Sequence, residues 1–260
     1  MKTIRLTSIL MGALLLAFSC KKAEDVGSLT IKMTDSPGDY TALNLQITGI
    51  DIYSENSGWI TVSNETWLFN VLSLTNGKEI SLAAASNIKA GKYTKLKLKF
   101  GAENKLSFNT HTTVGGISTS NSSTVYLLWH TPREVVIEIN SDVSVNKNTE
   151  ILLDFHVAQS IQNISNQYFI APVITVIYDV NTGIRGETEA EIQAFVEVKN
   201  NTQTYNTYTD VNGRFLVRGL KEGHYTVTII PESGLSKNAK TYTDVIVSKG
   251  EIHALGTVQF

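Results

Sequence analysis

Cysteine is almost absent from this chain. A single one, Cys20, occurs in 260 residues, so no disulfide can close within the chain and apolar cores must hold its folded parts. Proline is scarce, with four residues, and low-complexity tracts are missing. With 42% apolar residues, that composition points to folded domains and not to disordered linkers. The chain also lacks a G-x-S-x-G elbow, an H-E-x-x-H helix and a glycine-rich phosphate loop. Its five histidines, His111, His130, His156, His224 and His253, include no pair at zinc-ligand spacing. These absences leave no catalytic residues, no metal set and no cofactor to assign, and the chain is expected not to be an enzyme.

Long apolar runs are rare too. Residues 9–18 form one, interrupted only by Gly12. At about 1.5 Å per residue, ten residues reach roughly half of a ~30 Å hydrocarbon core, too short to cross it. Lys2 and Arg5 precede the run, and Ala17 and Ser19 stand near its end. That order predicts a secretory signal peptide over residues 1–19. Its removal takes away Lys2 and Arg5 and leaves 20 basic against 24 acidic residues, a formal charge of −4. A mildly acidic chain without a basic block is a poor nucleic-acid binder, because phosphate neutralisation supplies most of that affinity.

Leu16-Ala17-Phe18-Ser19-Cys20 resembles the lipobox of bacterial lipoproteins, and Ser19-Cys20-Lys21-Lys22 resembles its Bacteroidetes-type form. The resemblance implies cleavage before Cys20 and acylation of that residue, which makes a membrane the first partner. Two or more acyl chains hold a protein stably, at about 0.8 kcal/mol per buried CH₂. The other reading is an ordinary signal peptide followed by a bystander cysteine. The next stretch, Lys21-Lys22-Ala23-Glu24-Asp25, resembles the signal that sends such lipoproteins to the outer face of the outer membrane; it reads equally as a solvated tether.

What the mature chain has in plenty is alternation. Leu29-Thr30-Ile31-Lys32-Met33, Leu43-Asn44-Leu45-Gln46-Ile47, Ile50-Asp51-Ile52 and Lys95-Leu96-Lys97-Leu98-Lys99-Phe100 each switch apolar and polar at period two, the mark of a half-buried strand. Residues 135–139, 151–157 and 169–178 predict further strands, with short helical turns conceivable near residues 71–74 and 83–85. The fold class expected is all-β, with two β-sandwich domains in tandem. The domains are a tether over 20–26, a β-sandwich over 27–178, a linker with room for a short first strand over 179–191, and a second, small transthyretin/Ig-like sandwich over 192–260.

The second unit carries Ala194-Phe195-Val196-Glu197-Val198, then Thr209-Asp210-Val211-Asn212-Gly213-Arg214-Phe215, and Gly223-His224-Tyr225-Thr226-Val227. These T-D-x-x-G-x-F and G-x-Y-x-V signatures resemble the carboxypeptidase-regulatory-like family, a transthyretin-like sandwich grouped with carbohydrate-binding-like folds. Asn212-Gly213 is suited to the positive φ angles of a tight hairpin turn. Asp210 could open a calcium loop, but its twelfth position is Lys221 where a glutamate is required.

The first unit carries Met33-Thr34-Asp35-Ser36-Pro37, then Leu68-Phe69-Asn70-Val71-Leu72-Ser73-Leu74-Thr75-Asn76-Gly77, Ala90-Gly91-Lys92-Tyr93 and Asp154-Phe155-His156-Val157-Ala158-Gln159-Ser160. In this order they resemble a bacterial lipoprotein family whose domain has no assigned function, which implies a β-sandwich and supplies no catalytic residues. Asp35 and Ser36 can cap a turn that Pro37 begins; the alternative is Asp35 as a metal or ligand carboxylate. Asp154 and His156 share one face of a strand, as an acid–base or metal pair or as a polar outer face with Phe155 inward. The Lys95-Lys97-Lys99 row reads as a solvated or edge-protecting face, or as a grip on an anionic glycan. Exposed Trp and Tyr stack on sugar rings; Trp59 after Ser57-Gly58 and Tyr205 beside Asn206 are the surface candidates, while Trp67 and Trp129 read as core.

The function expected is a non-catalytic binding role on a lipid-anchored protein of the outer membrane, surface-exposed, with a glycan as the candidate ligand. The ligand-binding residues are Trp59, Tyr205 and Asp35. A structural or assembly role beside another envelope protein is the second expectation, and a hydrolytic enzyme a distant third.

Overall fold

The computed structural model describes residues 25–36, 40–114, 117–129, 132–232 and 234–260, with the side chains of 36, 111–114, 117 and 118 left aside. Cys20, Lys21, Lys22, Ala23 and Glu24 therefore lie outside the described residues. The chain is all-β, as the alternation predicts.

Two sheets enclose a first core. In one, the strands run in the order Ile174–Ile177, Asn148–His156, Val26–Ser36, Ile80–Lys89. The Val26 strand pairs in parallel with the Asn148 strand, setting Ile31 beside Ile151, Met33 beside Leu153 and Asp35 beside Phe155. In the other sheet the order is Glu134–Val143, Gly91–Phe100, Ala42–Ser54, Lys105–Val114, Ile117–Tyr126, with two short strands also on the Ala42 strand. The inward residues of both sheets, among them Leu29, Ile31, Met33, Leu45, Ile52, Leu96, Leu98 and Phe155, form one buried cluster. Two sheets buried on one face each are a sandwich in this geometry.

Sequence and structure differ locally, each time for a physical reason. Leu43 to Ile47 and Ile50-Asp51-Ile52 read as two strands because their apolar phase slips by one residue. They are one strand, and the slip is a register shift between Ile47 and Gly49, a bulge that resets which side chains face inward. Residues 83–85 are not a helical turn: Ala83, Ala84 and Ala85 pair with Ile31, Thr30 and Leu29, so strand pairing overrides alanine's helix preference. Residues 71–74 are indeed a 3₁₀ turn. The strand expected over 169–178 is broken at Pro172 into Gln167–Ile170 and Ile174–Ile177, because proline has no N–H to offer a ladder. The Gly91 strand, carrying Lys95, Lys97 and Lys99, lies inside its sheet between the Glu134 and Ala42 strands, so those lysines protect no edge.

A second core, centred on Ile184, Val196, Val198, Phe215, Tyr225, Val227 and Ile229, lies between two further sheets. Their orders are Arg214–Arg218, Gly183–Thr188, Ile252–Val258 and Thr204–Tyr208, Ala194–Lys199, Gly223–Pro231, Lys240–Val247. The turn at Asp210 is not the hairpin the sequence suggests, since its flanking strands belong to different sheets. Gly213 alone takes a positive φ, +72°, and Asp210 Oδ1 accepts hydrogen bonds from the N–H groups of Asn212 and Arg214, both at 2.9 Å. The carboxylate organises a corner between sheets.

Candidate functional site

The two cores meet along a seam built from the motif stretches. On the outward face of the Val26 and Asn148 strands lie Lys32, Thr34, Glu150, Leu152 and Asp154, set by the period-two alternation that buries Leu29, Met33 and Phe155 on the other face. Against this face stand the Thr204 and Arg214 strands of the second core. Thr34 Oγ1 donates to Lys78 O at 2.8 Å, with Leu74 O at 3.0 Å, and so pins the loop after the 3₁₀ turn. That loop presents Asn76, whose N–H donates to Thr207 Oγ1 at 3.2 Å and whose Nδ2 donates to Arg214 O at 2.8 Å. Gly77 follows with φ +71°, and a Cβ there would sit 2.7 Å from Leu216 Cδ2. Arg218 pairs with Glu79 at 2.7 Å, Glu79 with Lys32 at 3.2 Å and Lys32 with Glu150 at 2.8 Å, a chain of alternating charges that sums to zero.

Within the seam lies a cavity of about 40 Å³, bordered by Thr34, Asp35, Asn76, Asp154, Asn206 and Arg218 among others. Asp35 is 6% exposed, and neither of its carboxyl oxygens meets a hydrogen-bond donor. Asp154 is 9% exposed, and its Oδ1 is likewise unpartnered, as are Asn76 Oδ1, Asn206 Oδ1 and Arg218 Nε. Burial, then the nearby Asp154 charge, pushes the Asp35 carboxyl up to about 9. Burial raises Asp154 as well, partly offset by His156. At a value of about 9, the Asp35 carboxyl holds a proton at neutral pH. His156 Nε2 is 3.8 Å from Asp154 Oδ2 and 2.9 Å from Thr175 Oγ1, so the pair is loosely associated on a face that is covered, not solvated.

Beyond Asp154 the seam opens into a cleft of about 490 Å³, lined by His156, Gln159, Tyr178, Gln203, Tyr205 and Lys221 among others. Tyr178 is 60% exposed. Tyr205 is half-buried, and its hydroxyl donates to Gln203 Oε1 at 2.9 Å. Its hydroxyl is raised above the ordinary tyrosine value, by burial first and then by Tyr225 and Asp154.

The structure brings Asp35 and Tyr205 to the rim of one cavity and leaves Trp59 elsewhere. Asp35 does not cap a turn; the side chain of Ser36 and Pro37 lie outside the described residues. Trp59 is 41% exposed, but Lys97 Nζ sits 4.7 Å from its ring centroid and Tyr53 packs at 5.3 Å. Its ring already serves the chain's own cation–π contact. Trp67 donates from Nε1 to Leu82 O at 3.1 Å, and Trp129 packs on Phe100 at 5.0 Å, as core readings require. Lys95, Lys97 and Lys99 are paired with Glu138, Glu134 and Asp51, which leaves no free cationic row. Asp25 is exposed, and its carbonyl accepts from Ala90 N at 2.7 Å. Asn76, Glu79, Asn206 and Arg218 were not singled out by sequence; their partners are 100 or more residues away in several cases, as with Glu79 and Arg218, 139 apart.

Among the described residues, no group of three or more His, Cys, Asp or Glu side chains is placed to hold a metal ion. None of the helices among them is long and apolar enough to cross a membrane, which says nothing about strands.

A family model, the domain of unknown function DUF4382, matches residues 26–172. Among curated proteins none matches the chain. Among solved structures, the Bacillus anthracis TIE protein is similar at 15% identity with a TM-score of 0.25, over 92% of this chain and 41% of that one. The chain thus spans about two fifths of that protein's length.

Proposed function

We propose a function on the premise that the chain belongs to the DUF4382 family, whose model covers residues 26–172: it is a lipid-anchored binding protein of the cell envelope, and its ligand is a glycan held in the cleft at the seam. The cleft carries this reading. Its size lies within the roughly 300–1,000 Å³ of small-ligand sites, and it sits between two packed units, where such sites concentrate. Its lining suits a sugar, with Tyr178 to stack on a ring and Gln159, Gln203, His156 and Lys221 to bond hydroxyls.

The anchor is acylated Cys20, supported by the apolar run, the Ser19-Cys20-Lys21-Lys22 sequence and the lack of any other cysteine. The address is the outer membrane of a Bacteroidetes-type cell, with Lys21 to Asp25 as the surface-export signal. The second unit is a carboxypeptidase-regulatory-like domain, supported by its T-D-x-x-G-x-F and G-x-Y-x-V signatures.

A glycan array with the full-length chain in detergent tests the ligand. The expected result is binding that falls at least tenfold in Tyr178→Ala and persists in Trp59→Ala. No glycan bound, or loss in Trp59→Ala alone, contradicts the cleft reading. Cys20→Ala is expected to release the protein from membrane fractions, and retention would refute lipidation.

One observation favours the assembly role as a second reading. The Glu134 and Ile174 strands are edges of the two sheets around the first core, and they flank a groove of about 500 Å³ in which Val136 and Tyr178 are exposed. Unpaired edges are where an extended partner segment adds. Cross-linking from position 136 to another envelope protein in intact cells would favour this reading over the glycan.

A further inference from the structure

Arg218 and Asp154 border both the small seam cavity and the larger cleft, and each keeps one polar atom unpartnered among the described residues. Arg218 Nη1 donates to Glu79 Oε1 at 2.7 Å, which holds the guanidinium in place and leaves its buried Nε–H over. Asp154 stands on the outward face of its strand beside Thr34, and its buried Oδ1 meets no donor. Asn76 Oδ1 and Asn206 Oδ1 are acceptors left over on the border of the same cavity. Asp35 lies on the inward face beside Phe155 and takes no part. The inner cavity thus offers one donor and three acceptors, and buried polar groups left unmet are costly.

The chemistry of these groups selects what fills the space. A carboxylate or sulfate only accepts, and would set another oxygen against that of Asp154. An ammonium only donates, and would leave the Arg218 Nε–H unmet. A hydroxyl donates once and accepts through two lone pairs, so it takes the Nε–H and gives its own proton to an oxygen opposite. Size narrows the choice further. The cavity holds about 40 Å³, against roughly 30 Å³ for one water in the liquid, so a sugar ring stays outside in the cleft of about 490 Å³. A hydroxyl on a short arm reaches inward from there, and a hexopyranose carries one such arm, the C6 hydroxymethyl.

We propose that the seam cavity is the inner subsite of the cleft and takes the C6 hydroxyl of a hexopyranose, with Arg218 Nε as donor to it and Asp154 Oδ1 as acceptor from it. The cleft then favours hexoses over their 6-deoxy counterparts and over pentoses. This inference rests on the glycan reading of the cleft and adds which sugars it prefers: Tyr178 supplies the ring contact, and the seam supplies the choice. A site built to hydrogen-bond a hydroxyl rejects the analogue that lacks it, because its own buried groups are then stranded.

The test uses matched probes that differ by one oxygen. Methyl glucoside, methyl galactoside and methyl mannoside are each titrated beside the 6-deoxy analogue of the same configuration, against the full-length chain in detergent, by ligand-observed NMR. At least one hexoside is expected to bind at least about tenfold more tightly than its 6-deoxy analogue. Arg218→Lys keeps a cation for Glu79 but removes the Nε–H, and is expected to bring that ratio to within about twofold. Asp154→Ala is expected to lower it as well, and unchanged affinity for the 6-deoxy analogue reports that the cleft of either variant is intact. Equal binding of every hexoside and its 6-deoxy analogue by the parent chain, as when a water molecule alone fills the cavity, overturns the subsite and leaves the glycan reading standing. A ratio unchanged in Arg218→Lys overturns the subsite too. Binding of no glycoside at all overturns the glycan reading, and the subsite with it.

Discussion

Two aspartates in the first unit share a burial and little else. Asp51 is 7% exposed and Asp35 6%. Asp51 Oδ1 accepts from Thr61 Oγ1 at 2.8 Å and from Lys99 Nζ at 2.9 Å, and its Oδ2 lies 2.7 Å from the same ammonium. Asp35 meets no donor at all. Burial of a carboxylate is tolerated when the fold supplies partners and is otherwise a debt. The contrast separates a carboxylate that the chain uses to hold itself together from one that the fold leaves without a donor.

Breaking the satisfied member should produce the largest effect. Asp51→Ala strands Lys99 and Thr61 and is expected to lower stability by about 2 kcal/mol in urea unfolding, tempered by the partial exposure of Lys99. Next comes the loop that closes the seam over Asp35. Gly77→Ala places a methyl 2.7 Å from Leu216 Cδ2 at a positive φ, at an expected cost of about 1–2 kcal/mol. Hydrogen exchange at the Leu216 amide should quicken while exchange around Asp51 does not, which sharpens the separation between the two sites.

The smallest effect is expected at a half-buried carboxylate that is partnered. Glu189 accepts from Lys237 Nζ at 2.8 Å and from the Phe260 N–H at 2.9 Å. The hydrogen bond to Lys237 first, then that to Phe260, holds its carboxyl below the ordinary glutamate range. A folded value below the unfolded one stabilises above the unfolded value, and that contribution fades as pH falls through the folded one. Glu189→Gln should therefore show a shallower loss of Tm than the parent between about pH 5 and about pH 3, and no distinguishing slope above pH 5.

The strands were legible because alternation is local. Lys95-Leu96-Lys97-Leu98-Lys99 becomes a strand with Leu96 and Leu98 buried. What period two could not say is what lies over the outward face. Asp154-Phe155-His156 has the same pattern whether that face meets water or the Thr204 and Arg214 strands, so the seam was invisible. Asp35 carried a clue that turn chemistry obscured: it continues the inward phase of Leu29, Ile31 and Met33, where a side chain that only caps a turn has no reason to be buried. Trp59 shows the converse limit. Its turn and exposure were foreseeable, but the lysine over its ring comes from a strand that sequence does not place beside it. Asn76, Asn206 and Arg218 acquire meaning only once distant stretches meet.

The most direct test replaces each buried carboxylate by its neutral isostere in cation-free buffer at neutral pH and compares unfolding free energies. If Asp35 has no partner within the fold, Asp35→Asn leaves stability within about 0.5 kcal/mol of the parent or raises it, while Asp51→Asn loses at least about 1 kcal/mol. Equal losses in the two variants would mean that Asp35 is held by the chain itself, and would contradict the account.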